Sequence, residues 1–175
     1  MKRDVSLWQF AGFSLTALFG TLLHFLYDWT CGNIVAALFS GVNESTWEHM
    51  KLLFFPLFLF ALVQSRFFKD SRSFWCVKLV GTLTALTLIP VLFYTYNGVF
   101  GKSPDWINIT IFFISAAIAF LFEGHLLKRE GIPCQYPALA FLILCLIGVL
   151  FVIFTFSPPK IPLFQDPLTG VYGIQ

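Results

Sequence analysis

The sequence predicts an all-α membrane protein: a five-transmembrane-helix bundle with a short re-entrant or interfacial segment after the first helix. Three observations predict it. Of 175 residues, 58% are hydrophobic and 11% charged, with 23 phenylalanines, whereas soluble domains run at about 45–50% apolar and about 25% charged. The apolar residues fall into five runs, each near the ~20 residues a helix needs to cross ~30 Å of hydrocarbon. The basic residues cluster on alternate connections between those runs, as multi-pass chains require. At this length one membrane domain, residues 1–175, is expected.

The runs are Leu7–Tyr27, Ser45–Gln64, Phe74–Tyr96, Trp106–Leu127 and Tyr136–Phe156. Each must be helical in lipid, because no water is present there to satisfy an open backbone. The first follows Lys2 and Arg3, yet it is too long for a signal peptide and no small-residue cleavage site follows it. Between the first two runs, Asn33–Val42 is apolar but too short to span, which suits a re-entrant or interfacial segment. The second run needs Ser45–Lys51 to reach across, since Leu52–Val63 alone covers only about 18 Å. Pro56 and Pro90 fall inside the second and third runs, where each frees a carbonyl and favours a kink. The tail 157–175 carries four prolines and two glycines. It cannot prolong the fifth helix and is expected to lie back, ordered, on the bundle. No internal repeat is visible.

Orientation follows from the positive charges. Lys2, Arg3, Arg66, Lys69, Arg72, Lys128 and Arg129 fall on one side, against Lys102 and Lys160 on the other. The amino terminus is expected in the cytoplasm and the carboxyl terminus outside.

That topology gathers polar residues at the outer ends of the helices. VNESTWEHMK, Val42–Lys51, places two glutamates, a histidine and a lysine directly before an apolar run. Ser45 and Glu48 fit a capping box, with Asn43 as an alternative cap, and early acids suit the positive helix end. Trp47 and Lys51, four apart, could stack as a cation over an indole. Capping leaves His49 unexplained. It also leaves His24, which sits inside an apolar run one turn from Asp28 on a shared face. Tyr94, Tyr96, Asn97, Ser103, Asp105 and Asp166 fall at the same level, with Pro104 expected at the first position of the fourth long helix. The ligand-binding candidates are therefore His24, Asp28, Asn43, Glu44, Trp47, Glu48, His49, Lys51, Tyr96 and Asp166.

No cofactor is expected, although His24, Asp28 and His49 carry ligand types suited to a divalent metal. No HExxH occurs, and adjacent Glu48 and His49 diverge by about 100° on a helix, so they would not easily share one ion. No GxSxG occurs either. Glu123 and His125 read as an interfacial anchor at the inner end of the fourth long helix. NES at Asn43 and NIT at Asn108 match glycosylation acceptors as chance patterns. Cys31, Cys76, Cys134 and Cys145 lack metal-type spacing. With Cys31 alone on the outer side, no intramolecular disulfide is expected. The net charge of +2 is too small and scattered for a nucleic-acid partner.

HFLYDW (His24–Trp29), VNESTWEHMK and PLFQDPLTGVYGI (Pro162–Ile174) resemble a family of small bacterial integral membrane proteins known as a domain of unknown function. The resemblance runs over essentially the whole chain. It implies a multi-pass bacterial membrane protein and carries over no catalytic residue. The five-helix tryptophan-rich sensory family shares size and helix count, but the tryptophan pattern differs.

The leading functional expectation is a binding protein in the cell membrane. It would hold a small polar ligand or cation in an outer-leaflet polar pocket, for transport or sensing. His24 and His49 would exchange protons, Asp28, Glu44 and Glu48 would supply negative charge, and Trp47 and Lys51 would shape the rim. Five helices are few for alternating access, so transport would call for a homo-oligomer or membrane partner. The alternatives are a membrane-embedded acid–base or metal-dependent hydrolase or transferase acting on lipid or envelope material, and a structural subunit.

Overall fold

Hydrocarbon leaves a backbone no partner but itself, and the apolar runs fold accordingly. The computed structural model describes residues 2–68, 73–129 and 132–174. Among them lie six α-helices and no strand beyond one isolated bridge. These are α1 (Lys2–Trp29), α2 (Ile34–Ala37), α3 (Thr46–Ser65), α4 (Phe74–Phe100), α5 (Asp105–Lys128) and α6 (Pro137–Phe156), with a 3-10 turn at Pro162–Phe164. Five of the helices are long and apolar enough to cross a membrane. α1 begins before the predicted Leu7, and α4 runs on past Tyr96 to Phe100, because helical pairing continues beyond the apolar run. α3 and α4 stay helical through Pro56 and Pro90. Lys69 and Arg72, counted above for orientation, lie outside the described residues.

α3 is the central post. Its stretch Leu52–Val63 is apolar on every side, as a helix enclosed by others should be, and 67% of its spanning window is buried, against 17% for α1. α1, α4 and α6 all pack on it, while α5 joins α1 to α4. The phenylalanines fill the space between: Phe54, Phe60, Phe112, Phe120 and Phe151 are all buried.

α1 and α5 run antiparallel in close register. A Cβ on Gly12 would meet the Phe120 and Phe60 rings, and one on Gly20 would meet Phe112 and the Leu52 carbonyl. Gly12, Thr16 and Gly20 recur every four residues, the small-residue stripe that lets membrane helices approach. Thr16 is fully buried.

Among the described residues two charged pairs lie inside the bundle. Glu123 is not an interfacial anchor. It is fully buried and meets Lys78 of α4 at 2.5 Å, with the ammonium also facing the Phe60, Phe74 and Phe120 rings at 5.5–5.9 Å. Gly81 leaves the room, since a Cβ there would fall on the Glu123 side chain. The second pair, Glu48 and Lys51, is described with the site below.

Cys76 and Cys134 form a disulfide with a Cα–Cα distance of 6.0 Å, contrary to the expected set of free thiols. Both stand at the end of the bundle remote from His24. Packing of α4 against α6 makes the start of one and the approach to the other neighbours, which sequence spacing does not reveal. Cys31 and Cys145 are free.

Candidate metal-binding site

α1 brings His24 to the end of the bundle where α3 begins. Ser45 caps α3 and accepts from the Glu48 amide at 3.3 Å, the first half of a capping box. The second half is missing. The Ser45 amide donates to Asn43 Oδ1 at 2.9 Å instead, and Glu48 turns into the protein.

There Glu48 meets Lys51 at 2.5 Å, with the lysine fully buried. Lys51 also donates to the Ala37 carbonyl at 3.0 Å and to Thr155 Oγ1 at 2.8 Å. Glu48 in turn accepts from the Val42 amide at 3.2 Å and Thr155 at 3.0 Å. All three ammonium protons thus have partners, and the network joins the start of α3 to α2 and α6. Lys51 therefore does not stack on Trp47 or form a rim. Trp47 packs on Phe151 and Phe164, with ring centroids 4.5 and 4.7 Å away.

The tail covers this network. Asn43 Nδ2 donates to the Gly173 carbonyl at 3.0 Å. Asp166, also buried, accepts from the Leu168 amide at 2.7 Å, a local turn that uses the carboxylate structurally. Pro104, expected at the first helical position, is instead the cap of α5, and Asn97 ties down the turn by accepting from the Ser103 amide at 2.8 Å. Tyr96 packs on Phe100, and Asp28 is exposed.

What remains is a cluster of three. Glu44 lies between the two histidines, 3.6 Å from His24 Nε2 and 3.5 Å from His49 Nε2. One ligand atom from each residue falls within 4.8 Å of the others. The divergence of Glu48 and His49 is as their adjacency requires: the glutamate goes inward to Lys51, and the histidine goes to Glu44. Asp28 is not part of the set.

Local bonding orients His49. Its Nδ1 lies 3.0 Å from the Ser45 carbonyl. A carbonyl only accepts, so Nδ1 carries the proton. In the neutral ring, Nε2 then presents a lone pair to Glu44. Two acceptors facing one another at 3.5 Å call for a proton or a cation between them. A histidine held through Nδ1–H by a backbone carbonyl, with Nε2 free, is the arrangement metal-binding histidines adopt. Two histidines and a carboxylate form a donor set suited to zinc. With bonds of about 2.0–2.1 Å, tetrahedral ligand atoms stand roughly 3.3 Å apart. The two Glu44 separations, 3.6 Å through Oε1 and 3.5 Å through Oε2, are longer and use different oxygens, so the side chains must draw in slightly to close on one ion.

Beside the cluster is a cavity of about 390 Å³ between α1 and α5. His24, Glu44, His49, Asp105 and Asn108 give it a polar head, while Gly20, Leu52, Ile109, Phe112 and Phe113 give it an apolar wall. In the sequence Asp105 reads only as part of a cap and Asn108 only as a glycosylation pattern. The available signal was their spacing of three on α5, which puts them on one face.

Fold and site together define a class: an all-helical chain, five of its helices able to span a membrane, with a histidine–glutamate cluster at one end. The chain belongs to a family of unknown function, DUF6512, which matches it over residues 1–174. No curated protein and no solved structure matches it.

Proposed function

We propose that this is a multi-pass membrane protein that binds a divalent cation of the zinc class through His24, Glu44 and His49. The single observation carrying this reading is the clustering of His24, Glu44 and His49, one ligand atom of each within 4.8 Å of the others, with His49 Nδ1 held by the Ser45 carbonyl. The donor set supports it, and so does the partial shelter: Glu44 is 42% exposed and His49 is 21% exposed. Such a site has an open side for a further ligand, suiting transport or sensing. The same opening favours a second reading, a metal-dependent hydrolase, in which the cation would supply an activated water.

The test is metal analysis of the purified protein after loading with zinc and removal of excess. One zinc per chain is expected, retained by Asp28→Ala and lost by His49→Ala. Wild-type protein that holds no zinc would end the proposal.

The basic residues support placing this end outside the cell, with the amino terminus in the cytoplasm. The Cys76–Cys134 pair would then stand at the cytosolic end, where thiols are kept reduced. The Cys76–Cys134 disulfide therefore counts against this orientation, which requires two free thiols there in intact cells. Alkylation before lysis that finds a disulfide instead would reverse the orientation.

A further inference from the structure

The cavity beside the cluster is unlike a pocket for a bare ion. Its walls beyond the polar head are apolar, and it opens on the outside of the bundle between α1 and α5. Ile109 and Phe25 on its border are 57% and 44% exposed. On helices that span a membrane, that face is lipid. We propose that the ligand completing the metal site is a membrane amphiphile: a zwitterionic phospholipid with its phosphate oxygen on the cation and its acyl chain in the α1–α5 groove. The inference rests on the zinc-site reading given above.

Charge selects the head. A divalent cation with Glu44 and two neutral histidines leaves one positive charge, which attracts an anionic oxygen at the open position. Asp105, on the same cavity, forms no ion pair among the described residues and places a negative charge beside that position. A head bearing phosphate alone leaves that carboxylate unmatched. A head bearing phosphate and an ammonium group satisfies both, with the ammonium turned to Asp105. Asn108 Oδ1 already accepts from the Ser103 hydroxyl at 2.8 Å, which orients its amide group.

Shape selects the chain. The lining runs from Asp105 to Phe113 on α5, roughly 12 Å at 1.5 Å per residue. Farther along the same seam, Gly12 closes on Phe60 and Phe120, so the groove is blind rather than a channel across the bundle. An acyl chain can enter sideways from the bilayer, lie against Phe112 and Phe113, and leave its end in lipid.

The experiment uses the full chain in detergent, loaded with zinc. Calorimetric titration compares dihexanoyl phosphatidylethanolamine, dihexanoyl phosphatidylglycerol and glycerophosphoethanolamine, which has the same head without chains. The ethanolamine lipid is expected to bind at least about tenfold tighter than its chainless head, since burying even two methylenes is worth that much. It should also bind tighter than the glycerol lipid. Ile109→Trp, which fills the groove, should abolish the chain advantage while leaving zinc content unchanged. Asp105→Asn should remove the preference for ethanolamine. Equal binding of lipid and chainless head to zinc-loaded protein overturns this inference and leaves the zinc site standing. Failure to load zinc overturns the zinc site itself, and this inference with it.

Discussion

Glu123→Ala lowers the stability of the folded protein by about 3–5 kcal/mol, the usual effect of breaking a buried ion pair from one side. Among the described residues Lys78 has no other anionic partner: its ammonium is fully buried, bonded to Glu123 and facing three aromatic rings. Those rings attract a cation, but by only about 0.5–2 kcal/mol each, and they cannot replace water and a carboxylate together. The double replacement Lys78→Met with Glu123→Leu should recover most of the loss. Two apolar side chains remove both the charge and the desolvation, and such exchanges are often neutral or stabilising. One carboxylate oxygen of Glu123 has no hydrogen-bond partner, so the pair begins with a deficit that the apolar exchange lifts. Reversible unfolding in mixed detergent measures both variants. A single mutant as stable as wild type would mean that water reaches Lys78.

The same pair shows where sequence reasoning stops. Five apolar runs are legible because composition and length alone decide what hydrocarbon will accept. Glu123 falls near a helix end in sequence, so counting assigns it to the interface, and Lys78 stands near the start of its own apolar run. Only the antiparallel seating of α4 on α5 turns them toward one another. Gly81, a turn beyond Lys78, was the available hint, because it leaves room for a large partner. The disulfide escaped for a related reason: compartment logic divided the cysteines by side, but contact is set by which helices are neighbours. The stripe of Gly12, Thr16 and Gly20 was readable at its spacing of four, and it marks the seam beside which the cavity lies.

Within the site, all three cluster residues are among the ten candidates that the sequence offers, yet nothing in the sequence separates Glu44 from Glu48. Helical periodicity places Glu48, but Glu44 precedes the helix and its direction depends on a turn. That turn is set by Asn43, whose side chain accepts from the Ser45 amide and donates to the Gly173 carbonyl across a separation of 130 residues. A contact of that range leaves no local signature.

Replacing the two glutamates separately should therefore produce opposite results. Glu44 is 42% exposed, and truncating an exposed side chain usually changes stability by no more than about 0.5 kcal/mol. Glu44→Ala should fold as well as wild type and lose zinc. Glu48 is 3% exposed and bonds Lys51, Thr155 and the Val42 amide. Glu48→Ala leaves a buried ammonium with only neutral acceptors and should cost about 3–5 kcal/mol. Its folded fraction should still hold zinc, because Ser45 and not Glu48 orients His49. Unfolding midpoint and zinc content, measured on the same preparations, separate the two roles. If Glu48→Ala loses zinc at full stability, Glu48 is a ligand and the cluster is wrongly drawn. If Glu44→Ala unfolds the protein, the carboxylate between the histidines is part of the fold.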